Sequence, residues 1–431
     1  DSMVFAGAIS NSTIDFGADN DTVTFTVGAT SSTIIGGAGA DTLVFKTGAT
    51  LKNTSVNASG GNDYLSFSAA VFSTSTVAGG AADDTFVFQT SLAGAAISLG
   101  AGNDSVSFVT QVSSATIWGA ADSGNTQTIV FSSVGDAATF TGGFGAGFIS
   151  LGAGNDSITF SDAGVTGTTI TGTDDSDTIK LLGQNTAVFG SAIGTSAQIS
   201  FGAGADMASF SGAVSAATIY GGTGADTLDF NGSIGGGTVD AGAGADSISF
   251  ASTLNGSSIY GGAGTGTDTF AGAITVGTSG VSFFGGGGAD TFNFSTITGS
   301  ASGTAYFWND ASGTDSIVFG SIVSGIGSGS GNAAGVAFGI TSAAGLNISF
   351  VSGQTTASFG GGVSNLFDVH NQLVTYGVNA SNYVSMTFVG GGVVQLQGLS
   401  ATEAVDITNT FGLAGATTAN FGTVASIPTF S

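Results

Sequence analysis

A motif of about 20 residues recurs through the first three quarters of the sequence. Clear copies read ISLGAGNDSVSF at residues 97–108, ISLGAGNDSITF at 149–160 and IYGGTGADTLDF at 219–230. A unit of this size cannot bury its own apolar face, so successive copies must stack on one another. Alignment on the aspartate gives fifteen frames, at Asp1, Asp21, Asp41, Asp63, Asp84, Asp104, Gln127, Asp156, Asp177, Asp206, Asp226, Asp246, Asp268, Asp290 and Asp315.

The residues around each aspartate predict two short strands per repeat. Ser or Thr usually follows the aspartate, an apolar residue comes next, and Phe usually occupies the fourth position, which is the period-2 pattern of a half-buried strand. A β-branched or aromatic residue seven positions before most of the aspartates marks the second strand. The spacings of 29 residues before Asp156 and Asp206 are interpreted as surface-loop insertions.

We therefore predict an all-β fold in two domains. Residues 1–319 form a right-handed, β-roll-like parallel β-solenoid of about fifteen coils, and residues 320–431 form a smaller mixed, mainly β module that caps the solenoid or serves in assembly. In that module, residues 383–389 and 393–399 are predicted strands. Residues 400–403 fit a capping box that opens a short helix, and residues 365–376 form a second amphipathic segment.

Stacking has an electrostatic consequence. In-register coils place the aspartates about 4.8 Å apart, where neighbouring carboxylates repel by roughly 1–3 kcal/mol. The 3 basic residues, all Lys, cannot neutralise 28 acidic residues. A divalent cation held by carboxylates and by glycine carbonyls would do so, and a set of oxygen ligands without Cys or His favours Ca²⁺.

The turns resemble the hemolysin-type calcium-binding repeat of the RTX family, whose consensus is G-G-x-G-x-D. The resemblance is close at residues 36–41, 221–226 and 285–290. It implies that each aspartate binds Ca²⁺ with turn carbonyls, and one such turn per coil implies a single row of ions. The implied aspartate ligands are Asp21, Asp41, Asp63, Asp84, Asp104, Asp156, Asp177, Asp206, Asp226, Asp246, Asp268 and Asp290. The implied turn glycines are Gly37, Gly39, Gly100, Gly102, Gly152, Gly154, Gly202, Gly204, Gly222, Gly224, Gly242, Gly244, Gly286 and Gly288.

Composition argues against several functions. A formal charge of −25 disfavours nucleic acid and anionic membranes as partners, and no apolar run is long enough to insert into a membrane. One His, one Glu and no Cys or Arg leave little catalytic chemistry, so we predict no enzyme activity.

The features together favour a secreted structural protein at the cell surface that self-assembles into a surface layer or extracellular filament. Residue 1 already lies inside a coil, so we expect the uncapped N-terminal coil and the C-terminal module to contact other copies. The alternative is a calcium-dependent adhesin or an ice- or glycan-binding solenoid. It rests on a predicted column of hydroxyl groups at Thr13, Thr33, Ser55, Thr76, Thr116, Thr169, Thr218, Thr238 and Ser258.

Overall fold

The computed structural model describes residues 1–72, 74–119, 126–141, 147–160, 166–172, 176–183, 185–262 and 264–299, and beyond residue 299 only the strands given below. The described chain is an all-β parallel β-solenoid of about 14 turns without a helix, which confirms the predicted fold class. The hand of the coil stays a prediction. No described segment is a helix long and apolar enough to cross a membrane. The chain divides into two compact units, Asp1–Ser211 and Gly212–Ser431.

Unit 1 consists of two long parallel sheets and a row of two-residue middle strands. The first sheet contains Ser2–Phe5, Thr22–Phe25, Thr42–Phe45, Tyr64–Phe67, Thr85–Phe88, Ser105–Phe108, Gln127–Val130, Gly147–Ser150, Thr166–Thr171, Thr186–Phe189 and Met207–Phe210. The middle strands are Ile9–Ser10, Ala29–Thr30, Leu51–Lys52, Val71–Phe72, Leu92–Ala93 and Val112–Ser113. The second sheet contains Thr13–Asp15, Thr33–Ala38, Ser55–Gly60, Thr76–Ala81, Ala96–Ala101, Ala115–Trp118, Ala137–Thr141, Ser157–Phe160, Thr178–Leu181 and Gln198–Phe201.

Unit 2 repeats this plan. Its first sheet contains Thr227–Phe230, Ser247–Phe250, Thr269–Val276, Thr291–Gly299, Asp315–Phe319 and Leu346–Phe350. Its middle strands are Val214–Ser215, Ile234–Gly235 and Thr253–Asn255. Its second sheet contains Thr218–Tyr220, Thr238–Asp240, Ser257–Tyr260, Val281–Phe284, Ala305–Asn309, Val336–Ile340 and Val393–Gln397, all parallel. Leu373–Val378, Val384–Phe388 and Phe421–Thr423 add antiparallel pairings to that sheet.

The C-terminal strands test part of the sequence interpretation. Strands Val384–Phe388 and Val393–Gln397 confirm the two strands predicted there. Residues 373–376, placed in the second amphipathic segment, belong to strand Leu373–Val378. The capping box at residues 400–403 lies outside the described residues. Parallel pairing continues beyond residue 319 through Leu346–Phe350, and the domain boundary at that residue stays a prediction.

A column of phenylalanines fills the interior of unit 1. Coils pair in register, so that Phe25, Phe45, Phe67 and Phe88 are direct partners in neighbouring strands. Their rings stack at centroid distances of 4.5, 4.9 and 4.9 Å with interplanar angles of 7° or less. The four side chains are almost completely buried, so each repeat places its largest apolar group on that of the previous repeat.

The motif changes sheets within unit 1. The turns at Asp136, Asp156 and Asp177 lead into Ala137–Thr141, Ser157–Phe160 and Thr178–Leu181, which all belong to the second sheet. The stacked phenylalanines change sheets together with the motif. The rings of Phe140 and Phe160, which belong to second-sheet strands, stack at a centroid distance of 4.7 Å. The motif returns to the first sheet at strand Thr186–Phe189.

This change of sheet corrects the interpretation of the two 29-residue spacings as loop insertions. Asp136 lies 20 residues before Asp156, and Asn185 lies 21 residues before Asp206, so both spacings contain an extra turn. Each spacing is one full coil plus the part-coil that moves the motif from one sheet to the other.

We predict that Phe67→Ala lowers the free energy of unfolding by about 3–5 kcal/mol, because it leaves a cavity between two stacked rings. The control is Tyr64→Ala in the same strand, whose side chain is 41% exposed and should change stability by less than about 1 kcal/mol. Chemical denaturation followed by circular dichroism measures both values. Equal effects of the two substitutions would contradict the stacked core.

Candidate metal centre

The turn before each aspartate depends on glycine in two ways. Gly37 and Gly39 adopt φ angles of 112° and 136°, which L side chains rarely tolerate. A Cβ atom on either would also collide with the backbone of the preceding coil, at Gly17 or Asp19. Positive φ is likewise found at the predicted turn glycines Gly100, Gly102, Gly152, Gly154, Gly204, Gly222, Gly224, Gly242, Gly286 and Gly288. Gly202 and Gly244 are not among the residues with positive φ.

The aspartate side chains point into the coil and form a hydrogen-bonded ladder. The backbone N–H of Asp41 donates to Oδ1 of Asp63 at 2.7 Å, and that of Asp63 donates to Oδ1 of Asp84 at 2.9 Å. The same bond joins Asp21 to Asp41 at 2.8 Å and Asp84 to Asp104 at 2.9 Å. These carboxylates are 1–2% exposed. One oxygen of each therefore stabilises the stacking of consecutive coils.

The aspartates do not lie in one row. Asp136, Asp156 and Asp177 form a second row, at the turns leading into the second sheet. There the N–H of Asp136 donates to Oδ1 of Asp156 at 2.7 Å, and the N–H of Asp156 donates to Oδ1 of Asp177 at 2.9 Å. Asp156 and Asp177 were expected to lie in one row with the repeat aspartates from Asp21 to Asp104. That expectation is wrong, because the motif changes sheets between Asp104 and Asp156.

Neutral side chains stand at the ends of the rows. Gln127 follows Asp104, and its Nε2 donates to the Gly102 carbonyl at 2.8 Å. Asn185 precedes Asp206, and its Nδ2 donates to Asp206 Oδ1 at 2.9 Å and to the Gly183 carbonyl at 2.6 Å. An amide can thus occupy the aspartate position and supply donors that a carboxylate lacks.

Asp136 begins the second row with both oxygens occupied. Its Oδ1 accepts the Val112 N–H at 2.6 Å, and its Oδ2 accepts the Ser132 hydroxyl at 2.9 Å and the Ser132 N–H at 3.0 Å. This carboxylate is therefore fully satisfied by the protein alone.

Unit 2 has its own row. The N–H of Asp226 donates to Asp246 Oδ1 at 2.7 Å, that of Asp246 to Asp268 Oδ1 at 2.8 Å, and that of Asp268 to Asp290 Oδ1 at 2.8 Å. All four carboxylates are at most 3% exposed. The ladder is therefore reproduced in register within this unit.

The second carboxylate oxygen is different. Oδ2 is buried and accepts no hydrogen bond at Asp21, Asp41, Asp63, Asp84, Asp104 and Asp246. A Cβ placed on Gly36 would lie 2.7 Å from Asp41 Oδ2 and 2.6 Å from the Ala58 carbonyl of the next coil. Similar crowding by the aspartate and a next-coil carbonyl surrounds Gly79, Gly221 and Gly261. These glycines leave room where a carboxylate oxygen and a carbonyl oxygen approach the same point.

Burial strongly perturbs the acidity of the ladder. It raises the pKa of Asp63 to about 6 and that of Asp84 to about 7, from 3.8. The N–H bond from the preceding aspartate lowers each pKa, and repulsion from neighbouring carboxylates raises it, but the loss of hydration dominates. In unit 2, burial raises the pKa of Asp246 to about 6 and that of Asp268 to about 7. The pKa values of Asp41, Asp104 and Asp206 are also raised, chiefly by burial.

The donor set fits a hard cation. Buried carboxylate oxygens without a donor, close to backbone carbonyls, are ligands that Ca²⁺ accepts in flexible geometry. Within the described residues no three side chains of His, Cys, Asp or Glu converge. Carbonyl oxygens would therefore have to complete the coordination. A proton on the carboxylate is the other way of removing its charge.

Sequence reasoning missed two residues of the rows. Asp136 and Asn185 were hidden inside the 29-residue spacings, although each lies about one repeat before the next aspartate. Gln127 was recognised only as a break, whereas its amide ends a row. The glycine that makes room for the carboxylate, such as Gly36, was visible as the first glycine of the consensus.

No protein-family model matches this sequence, and no curated protein matches it. Assignment of a function therefore rests on the geometry described above.

We predict that, without divalent cations, the protein is most stable near pH 4 and loses stability toward about pH 8. The folded aspartates have raised pKa values, so their contribution is fully present below the unfolded pKa and is lost as pH rises through about 6–7. Thermal melts in a chelator across this pH range measure the trend. A Tm that rises with pH over this window would contradict the buried ladder.

We also predict that Asn185→Asp destabilises the cation-free protein at neutral pH by about 2 kcal/mol or more. The change removes two amide donations and places a carboxylate beside Asp206. Asn155→Asp is the control, since it adds the same charge at an exposed position. Denaturant midpoints in chelator compare the two, and equal losses would show that Asn185 has no special role.

Proposed function

We propose that this chain is a secreted structural protein that assembles with copies of itself into a surface layer or filament. In this proposal Ca²⁺ bound along the aspartate rows folds and stiffens the solenoid. The observation that carries it is the row of buried Oδ2 atoms without a hydrogen-bond donor. A buried carboxylate without compensation is strongly unfavourable, and here the same group recurs coil after coil.

The proposed ligands follow from the rows. Each ion would take Oδ2 of an aspartate and nearby turn carbonyls, of which the Ala58 carbonyl beside Asp41 is an example. When bound, the ion supplies positive charge that the chain lacks, since only 3 residues are basic. The positive-φ glycines at consensus positions support the further proposal that these are hemolysin-type repeats.

The proposed location follows from the same chemistry. Ligand sites assembled from several coils exist only in the folded chain, so the binding free energy of Ca²⁺ adds directly to folding. A chain that depends on Ca²⁺ would stay unfolded where the ion is scarce and would fold outside the cell, where it is plentiful.

Self-assembly is supported by the parallel stacking itself. Coils of similar sequence pair in register over long runs, and the lateral surface carries mainly small polar and apolar side chains with few basic groups. Repeated surfaces favour regular contacts between copies, and divalent ions reduce their mutual repulsion.

A second candidate, a calcium-dependent adhesin or an ice- or glycan-binding solenoid, rests on the outward hydroxyl column. Thr33, Ser55 and Thr76 are register partners on the second sheet, and Thr76 Oγ1 donates to Ser55 Oγ at 3.0 Å. Ala96 interrupts this column. Electron microscopy separates the functions, because the structural protein forms sheets or filaments in Ca²⁺ and the adhesin remains as isolated particles.

We predict that Asp84→Asn has opposite effects with and without Ca²⁺. Asparagine keeps the oxygen that accepts the Asp63 N–H and removes the buried charge, so the variant should be more stable than wild type in chelator at neutral pH. In Ca²⁺ it should be less stable, because a ligand is lost. Each kcal/mol corresponds to about 2–4 °C in Tm for a unit of this size.

The matched control is Asp83→Asn, which removes the same charge at the exposed neighbouring residue. It should leave Tm almost unchanged under both conditions. Calcium titration by calorimetry and electron microscopy of the same samples complete the test. A wild-type protein with the same Tm in chelator and in Ca²⁺, and no ordered assembly in either, would overturn the proposal.

A further inference from the structure

An outward column of aromatic residues crosses the second sheet of unit 2. Register pairs Tyr220 with Asp240, Asp240 with Tyr260, and Tyr260 with Phe284. We call these four residues the aromatic column. The backbone of Trp308 continues the same register after Phe284. Aromatic side chains are thus presented at three of these four coils along one face, with Asp240 between the first two.

The column is accessible. Tyr220 is 45% exposed, and the other three side chains are partly exposed. The rings of Tyr260 and Phe284 stack at a centroid distance of 4.5 Å with an interplanar angle of 9°. This stacking fixes the two rings face to face, and both side chains stay partly exposed.

Polar groups flank the rings. Asp240 lies between Tyr220 and Tyr260 in the register, and its Oδ1 is buried without a hydrogen-bond partner. A parallel outward column two residues earlier carries Thr218, Thr238, Ser258 and Ser282. Aromatic rings therefore lie beside a line of hydroxyl groups.

The fold does not require aromatic residues at these positions. Unit 1 has the same second-sheet column, and its register partners there are Asp15, Ile35, Asn57, Ala78, Ser98 and Trp118, of which only the last is aromatic. Since five successive non-aromatic residues support the same parallel pairing, the pairing itself does not require the rings of unit 2. Aromatic groups kept at the surface are typical of binding sites.

We propose that the aromatic column binds a neutral polysaccharide lying along the stacked coils. Neighbouring strands are about 4.8 Å apart, close to the length of one sugar ring in an extended chain. The C–H groups of a sugar would contact the exposed parts of the rings, and the hydroxyl column would bond its hydroxyl groups. The charge of −25 favours a neutral polymer over an acidic one. This site uses none of the row aspartates, and it rests on and deepens the second candidate function, because it places aromatic residues beside the hydroxyl column of that candidate.

The test is affinity electrophoresis of the full chain in Ca²⁺, in gels containing hydroxyethyl cellulose, mannan or dextran. At least one polymer should retard the wild-type protein. The double variant Tyr260→Ala and Phe284→Ala should weaken binding at least tenfold. Tyr64→Ala is the control, since it removes an exposed tyrosine from the first sheet of unit 1 and should leave retardation unchanged.

Three results would overturn the inference. The first is a wild-type protein retarded by none of the three polymers. The second is an equal loss of retardation in the control and the double variant. The third is a double variant that binds polysaccharide normally but sediments as a smaller assembly, which would assign the column to a second copy. Circular dichroism in Ca²⁺ checks that the variants are folded, so failure of this inference is distinguishable from failure of the calcium proposal.

Discussion

The structure depends on which side chains tolerate an identical neighbour about 4.8 Å away in the next parallel coil. Phenylalanine gains from such stacking, as the rings of Phe45 and Phe67 show at 4.9 Å. A carboxylate does not, because each copy repels the next and loses its hydration. The ladder satisfies one oxygen of each row aspartate through the N–H of the preceding coil. The other oxygen determines the chemistry of this protein.

The hydrogen bonding of the second aspartate oxygen, Oδ2, differs between the interior and the ends of the rows. At Asp136, Ser132 provides donors from the same coil. At Gln127 and Asn185, an amide replaces the carboxylate and bonds to nearby carbonyls. At Asp63 and Asp84 the protein provides no donor for Oδ2, and the raised pKa values reflect the cost of ionisation there. The interior positions are therefore those at which a cation or a proton has most effect on stability.

Interior and exterior have separate roles in this architecture. The row aspartates, turn glycines and phenylalanines are constrained by the coils above and below them, so they determine stability. Outward positions carry no such constraint, as the different second-sheet columns of unit 1 and unit 2 show at Asn57 and Tyr260. A recognition surface can therefore change without altering the ladder, which is why a binding column and a structural role are compatible in one chain.

The sequence by itself determined the strand positions, the parallel stacking and the inward side chains, because period-2 alternation and a repeat of about 20 residues are local signals. It also identified the turn glycines, since positive φ favours glycine in any context. Only the tertiary structure decided which aspartates share a row. The turns at Asp104 and Asp156 have the same local sequence, GAGND, and only pairing with neighbouring coils shows that they lead into different sheets. Register between coils is a long-range property, so the change of sheet, the amide-ended rows and the aromatic column became visible only in three dimensions.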